Sequence, residues 1–156
     1  MCIIIDTCTF YKVFNDQNKE HDKFKPVLKW IVGKKGKIII GGTKYAKELS
    51  SAKALGILAE FEKRNRVVSL STEKVDKRAR ELKKLEPNKQ FDDEHLVAMV
   101  VVSRCCVVCT DDKKAIPYLK RRDLYSGGVK PPSIYRYKTH APMCRKKNIV
   151  KVCRDE

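Results

Sequence analysis

Acidic side chains lie at the ends of several apolar segments in this sequence. Asp6 directly follows the run Cys2-Ile3-Ile4-Ile5, and other carboxylates follow or precede later runs. The full set is Asp6, Glu48, Asp92, Asp93, Asp111 and Asp112. If several of them converge, they cannot all stay ionised at neutral pH without a counter-charge. Because hard divalent cations prefer oxygen ligands, the sequence predicts a site for Mg²⁺ or Mn²⁺.

One or two such ions can activate water and stabilise the departing oxygen of a phosphodiester. The chain carries 35 Lys and Arg against 19 Asp and Glu, a net charge of +16. A surface this basic favours a polyanionic partner, most often nucleic acid, although a lysine-rich surface also serves solubility. A basic protein with one acidic pocket is typical of a nuclease.

Each acidic residue also has an ordinary structural interpretation. Asp6 can cap a helix, and the aspartates at 92 and 93 suit any helix N-terminus. Asp111 fits a turn, and Glu48 fits the solvated side of a helix. The metal-site hypothesis therefore depends on the convergence of several carboxylates at one place.

Short apolar runs predict the strands that would bring them together. Isoleucine and valine pack well on a pleated surface, and runs without alternation are typical of strands buried on both faces of a parallel sheet. We expect strands at 2–5, 37–40, 67–70 and 105–109, and a fifth at 133–137. The predicted fold class is α/β, a three-layer α/β/α arrangement around a mostly parallel sheet of four to five strands. Ligands of such sheets lie at the carboxyl ends of the strands.

Helical periodicity predicts the segments between these strands. After Thr7 we expect a short helix, and then helices at 24–32, 44–63, from 71 or 72 to Pro87, 91–104 and 113–122. The segment 96–102 is apolar nearly all round, which indicates a buried helix. We expect one nuclease-like domain at 1–137 and a basic C-terminal extension at 138–156 that packs on it or trails it, with a possible edge strand at 149–153.

The sequence has seven cysteines and no apolar run that approaches the ~20 residues of a membrane span. The apolar opening is too short for a signal peptide, so we predict a cytoplasmic protein that does not enter a membrane. Its cysteines are then expected to be reduced thiols. Cys106 and Cys109 have a metal-like spacing, but they lie in an apolar segment and are better interpreted as core residues.

Four motifs resemble those of PIN-domain ribonucleases, the fold of VapC-type toxins. Ile3-Ile4-Ile5-Asp6-Thr7 is similar to the opening motif, and Glu48 matches the second acidic position. The segments 91–98 and 108–112 resemble the third and fourth motifs, which select Asp93 and Asp112. The resemblance spans about residues 2–137. Cys8 departs from it, because the family often has asparagine there.

The resemblance implies a metal-dependent endoribonuclease that acts on single-stranded or looped RNA. The implied catalytic residues and metal ligands, directly or through water, are Asp6, Glu48, Asp93 and Asp112, with Asp92 and Asp111 as second choices. The Thr110 hydroxyl would orient the bound water or the last carboxylate, that of Asp112, and His95 is a less favoured general base. The lysines expected to contact phosphates are Lys44, Lys47, Lys113 and Lys114.

The resemblance also implies partners. A protein antitoxin or regulatory protein and a homodimer are expected by analogy, with a toxin–antitoxin role among the possible settings. The alternative function is a catalytically silent PIN-fold module that binds RNA or protein. Clustered carboxylates argue against that alternative, because unused ones repel each other and cost stability. A phosphatase that begins with a strand and an aspartate would need a second acid where this chain has Cys8.

Overall fold

The sheet at the centre of the molecule is entirely parallel. In the computed structural model, which describes residues 1–33 and 36–154, five strands follow the order β3-β2-β1-β4-β5. The strands are β1 (Cys2–Ile5), β2 (Lys37–Ile40), β3 (Val67–Ser69), β4 (Val107–Cys109) and β5 (Ser133–Tyr135). β1 lies in the middle and is buried over its whole length. The predicted parallel α/β sheet is confirmed.

Helices cover both faces of this sheet. They are α1 (Phe10–Phe14), α2 (His21–Gly33), α3 (Thr43–Glu48), α4 (Ala52–Lys63), α5 (Thr72–Leu85), α6 (Glu94–Ser103) and α7 (Ala115–Leu119). Right-handed crossovers from β1 to β2 and from β2 to β3 place α1–α4 on one face. The chain then crosses from β3 back past β1 to β4, so α5–α7 cover the other face, where α6 packs against α5, α7 and β1. The three-layer α/β/α prediction is confirmed.

The reversal in strand order creates a crevice between β1 and β4. These strands are neighbours, with Ile5 in register with Cys109, yet their crossover helices lie on opposite faces. In open parallel sheets, ligands bind at the carboxyl ends of the strands at such a switch point. The residues that follow β1 and β4 are therefore the first place to look for a site.

The helix predicted at 44–63 is wrong as a single element. The structure divides it into α3 and α4, and Ser51 caps α4 by accepting a hydrogen bond from the Ala54 N–H at 3.2 Å. Serine at an N-cap satisfies a backbone donor that the helix leaves free. The apolar periodicity continued through the break, which hid this start signal from the pattern.

Other boundaries differ by a few residues. α2 begins at His21 rather than Phe24, α6 begins at Glu94 rather than Phe91, and β4 begins only at Val107. Residues 151–153, expected as part of an edge strand, form a 3-10 turn instead. Gly42 precedes α3 with φ 88°, a conformation that glycine adopts without a steric penalty.

The sequence from 138 to 154 packs against the sheet and α2. A 3-10 segment, Lys138–Met143, contacts α2, the Tyr135 hydroxyl donates to the Lys23 carbonyl at 2.9 Å, and Lys138 pairs with Asp22 at 3.0 Å. Cys153 is buried and forms a disulfide with Cys2 of β1. The prediction that all the cysteines are reduced thiols is wrong for this pair, because the tail returns to the central strand from 151 residues away.

Within the described ranges, 1–33 and 36–154, no helix combines the length and the apolarity that a bilayer crossing requires.

Candidate metal centre

Three carboxylates meet at the carboxyl edge of the sheet. Asp6 follows β1, Asp112 lies three residues after β4, and Asp93 is the N-cap residue of the buried helix α6. One carboxylate oxygen from each lies within 4.8 Å of the other two. The sheet fixes Asp6 and Asp112 side by side, and the packing of α6 on β1 brings in Asp93. We refer to these three residues as the acidic triad.

Asp6 is buried, with 3% of its surface exposed. Its Oδ2 accepts a hydrogen bond from the Thr110 hydroxyl at 2.6 Å and one from the Cys8 thiol at 3.3 Å. Its backbone is fixed as well, because its N–H donates to the Cys109 carbonyl and its own carbonyl accepts from the Thr9 hydroxyl, both at 2.9 Å. The carboxylate is therefore held in one position before any ligand arrives.

Thr110 connects two members of the triad. Its fully buried hydroxyl donates to Asp6 and accepts from the Asp112 N–H at 3.1 Å. Asp112 in turn accepts from the Lys114 N–H through Oδ1 at 2.8 Å. The motif predicted that Thr110 orients the last carboxylate, Asp112, but in the structure its hydroxyl contacts the carboxylate of Asp6 and only the backbone of Asp112.

The electrostatics of the triad are unfavourable without a cation. Burial and the neighbouring charges of Asp6 and Asp112 raise the pKa of Asp93 from 3.8 to about 7. None of the three forms an ion pair within residues 1–33 and 36–154. Closely spaced oxygen donors with uncompensated negative charge are the donor set that Mg²⁺ and Mn²⁺ prefer. The residues present fit such an ion.

Each pair of adjacent aspartates, at 92–93 and at 111–112, has one inner member in the triad and one outer member that pairs with a lysine. Asp92, largely exposed, pairs with Lys44 at 2.8 Å, and this hydrogen bond lowers the pKa of Asp92. Asp111 pairs with Lys12 at 2.8 Å. Asp92 and Asp111, the second choices, thus form ion pairs with lysines outside the triad, whereas Asp93 and Asp112 belong to the triad.

Glu48, expected as a fourth ligand, is not part of the triad. Its Oε2 accepts from the Thr7 hydroxyl at 2.8 Å and lies 3.4 Å from His95 Nε2. Helical spacing located Glu48 on the side of α3 nearest the strand ends, but it did not determine how far this short helix carries the carboxylate. Glu48 is therefore not among the carboxylates that lie within 4.8 Å of one another, and a role for it through a bound water stays a prediction.

His95 lies beside Glu48. The residue is 2% exposed, and neither ring nitrogen has a hydrogen-bond partner in the described chain. Burial is the main reason that its pKa is lowered, so the ring is predominantly uncharged at neutral pH. The sequence spacing did not reveal that this buried imidazole lies next to the Glu48 carboxylate.

The predicted phosphate-binding lysines lie at different places. Lys114 borders a cavity of about 530 Å³ that includes Asp93 and Asp112, while Lys113 is exposed nearby. Lys44 is held by Asp92 and by Glu94 at 3.4 Å. Lys47 lines a separate cavity, of about 350 Å³.

Sequence analysis missed Lys89 and Gln90, which also border the cavity that contains the triad. They occupy the loop between α5 and α6, before the expected third motif, where neither periodicity nor the motif drew attention to them. The polar residues directly before the acidic motif could have indicated that this loop borders the site.

Comparison with known proteins identifies no relative, since no family model, no curated protein and no solved structure matches this chain.

Proposed function

We propose that this protein is a metal-dependent endoribonuclease that cleaves single-stranded or looped RNA. One observation carries the proposal: three buried or half-buried carboxylates converge within 4.8 Å at the switch point of a parallel sheet, on a chain of net charge +16. Carboxylates this close repel each other, and such an arrangement is typical of a functional site where a bound cation relieves the repulsion. The resemblance to PIN-domain ribonucleases supports the same activity.

The acidic triad would hold one or two Mg²⁺ or Mn²⁺ ions. Such an ion supplies an activated water at neutral pH and stabilises negative charge on the leaving oxygen. The chain itself supplies orientation: Thr110 fixes Asp6 and the backbone of Asp112, and β1 and β4 hold both. Glu48 has no carboxylate contact to the triad and would act at its margin, through Thr7 or a bound water.

The surroundings of the triad suit a phosphodiester. Lys89 and Lys114 border the same cavity as Asp93 and Asp112, which places cations where the backbone of a nucleic acid would enter. Lysines bind phosphate as point charges and do not read sequence. The cavity is therefore expected to accept many RNA sequences.

The deciding experiment is cleavage of a panel of single-stranded and structured RNAs with Mg²⁺, Mn²⁺ or EDTA. The wild type is compared with Asp6→Asn and with Asp16→Asn, a matched change in the loop after α1. We expect cutting with either metal, none in EDTA, none by Asp6→Asn and full activity of Asp16→Asn. Binding of RNA without cutting under every metal would favour the silent binding module. Cleavage that survives Asp6→Asn would remove the triad from the mechanism.

A cytoplasmic location and control by a protein partner, as in toxin–antitoxin pairs, belong to the same proposal. The Cys2–Cys153 disulfide is a counter-argument on location, because such bonds persist mainly in oxidising compartments. Thiol alkylation of cells before lysis, followed by mass spectrometry of the peptides that contain Cys2 and Cys153, distinguishes the two. Alkylated thiols support the cytoplasm, and a linked peptide contradicts it.

A further inference from the structure

A group of basic side chains lies at the amino edge of the sheet, opposite the acidic triad. Lys120, Arg122 and Lys130 line a cavity of about 530 Å³. A second cavity of about 320 Å³ shares Lys130 and adds Arg104. The two cavities also share Val129 and Pro131, so they form one continuous surface, which we call the amino-edge patch.

The chain topology locates this patch. Arg104 precedes β4 and Lys130 precedes β5, and the two strands are parallel. Both residues therefore lie where the strands begin, whereas the triad lies where β1 and β4 end. β4 has three residues, so the two edges are about 10 Å apart at a rise of ~3.3 Å per residue.

Helix α7 connects the two edges. Lys114, which precedes α7, borders the cavity of the triad, and Lys120, which follows it, lines the amino-edge patch. Six residues of mostly helical chain span about 9 Å at ~1.5 Å per residue. Basic side chains thus occur at both ends of one short helix that crosses the sheet.

The charges of the patch are uncompensated. Lys120, Arg122 and Lys130 are exposed, and none of them forms an ion pair in the described chain. Arg121, between two of them, is held instead by Glu86 and Asp123, each at 2.6 Å. Unpaired cations beside an open cavity attract a polyanion. Because α7 joins this patch to the cavity of the triad, the polyanion that fits best is an RNA single strand that extends from the cleavage site.

We propose that the amino-edge patch is a second RNA-binding site, which holds the single strand that leaves the acidic triad along α7. The identity of this polyanion rests on the proposed nuclease function. The patch would act on long substrates only, because a short RNA that fills the triad cavity does not reach the other edge. It binds phosphates and is therefore insensitive to base sequence.

The first test is cleavage of labelled RNAs of about six and about 24 nucleotides with Mn²⁺. The variant Lys120→Gln/Arg122→Gln/Lys130→Gln is compared with Lys25→Gln/Lys29→Gln/Lys74→Gln, which removes three exposed lysines elsewhere. We expect the patch variant to lose about tenfold in kcat/KM on the long RNA and less than about twofold on the short one. Equal losses in the patch variant and the control, or equal losses on both RNAs, would overturn the proposal.

The second test does not depend on cleavage. Binding of the long RNA in EDTA is measured by fluorescence anisotropy with both triple variants in the Asp6→Asn background. The slope of log K against log salt is negative, and we expect it to become shallower by about 2 in the patch variant. Each lost contact to a single strand contributes about 0.7 to this slope. An unchanged slope, or a loss of binding to phosphatidylserine vesicles without a loss of RNA binding, would overturn the proposal. Absence of cleavage with every metal would refute the nuclease function, but this binding measurement would still show whether the patch binds RNA.

Discussion

The inner carboxylates of the metal centre and the carboxylates around them are treated in opposite ways by the fold. In the described chain Asp93 and Asp112 lie beside Asp6 and form no ion pair, whereas their sequence neighbours Asp92 and Asp111 each lie 2.8 Å from a lysine. In each doubled pair, adjacent residues thus have opposite electrostatic surroundings.

This difference shows how a basic protein keeps an acidic site open. Lys44 and Lys12 pair with Asp92 and Asp111, the sequence neighbours of the triad, and not with the triad itself. Lys44 is also fixed by Glu94, and Lys12 by Glu20 at 2.6 Å. Asp92 and Asp111 thus pair with these two lysines, and Asp93 and Asp112 remain available to a metal ion.

The largest expected effect separates the two members of one pair. Asp93→Asn should lower metal-dependent cleavage about 1,000-fold, because loss of a ligand removes several kcal/mol of transition-state stabilisation. Asp92→Asn removes only an exposed ion pair and should change the rate less than about fivefold. Initial rates at saturating Mn²⁺ measure both. Similar losses in the two variants would break the distinction between inner and outer residues.

Metal binding should also appear as added stability. Mn²⁺ at 100 times its dissociation constant should stabilise the wild type by about 2.7 kcal/mol, seen as a rise in Tm of several degrees. Asp112→Asn should lose most of this rise, whereas Asp111→Asn should keep it. Differential scanning fluorimetry with and without EDTA gives the comparison, and a full shift in Asp112→Asn would show that the ion binds elsewhere.

The Thr110 hydroxyl should matter for metal affinity through the residues it orients. Thr110→Val removes its hydrogen bonds to Asp6 and to the Asp112 N–H while it keeps the shape of the side chain. We expect the Mn²⁺ dissociation constant to rise 10-fold or more, as is typical when a ligand loses its supporting partner. Isothermal titration calorimetry measures it, with Thr110→Ser as the control that retains the hydroxyl. Equal Mn²⁺ affinity of Thr110→Val and Thr110→Ser would show that the hydroxyl does not support the metal ligands.

The smallest effect is a gain of stability without metal. Because the pKa of Asp93 is raised to about 7 in the folded protein, its ionisation destabilises the metal-free fold as the pH rises from about 4 through 7. Asp93→Asn should therefore melt above the wild type in EDTA at pH 8, and the difference should shrink below pH 7. Asp92→Asn, whose lysine partner lowers the pKa, should melt slightly below the wild type. A lower Tm for Asp93→Asn at pH 8 would contradict the electrostatic account.

The sequence was sufficient for the sheet, because uninterrupted isoleucine and valine runs indicated parallel strands. The ends of β1 and β4 then predicted Asp6 and the pair Asp111-Asp112 at one edge, but only the resemblance to PIN domains selected Asp93 and Asp112 from the doubled aspartates. The sequence did not determine whether Glu48 reaches the triad, because helical periodicity does not give the distance between a helix residue and the end of a neighbouring strand. The Cys2–Cys153 bond was equally hidden, since no local pattern links residues so far apart in the chain.

That bond also determines how the molecule would respond to force. A pull applied outside residues 2 and 153 passes through one pair of sulfur atoms and leaves the sheet unloaded. Fully stretched, the enclosed chain would otherwise lengthen to about 500 Å at ~3.3 Å per residue. An unfoldase that translocates polypeptides would have to accommodate two linked chain segments at once unless the disulfide is reduced first. Reduction of this bond would therefore allow the chain to be extended by force.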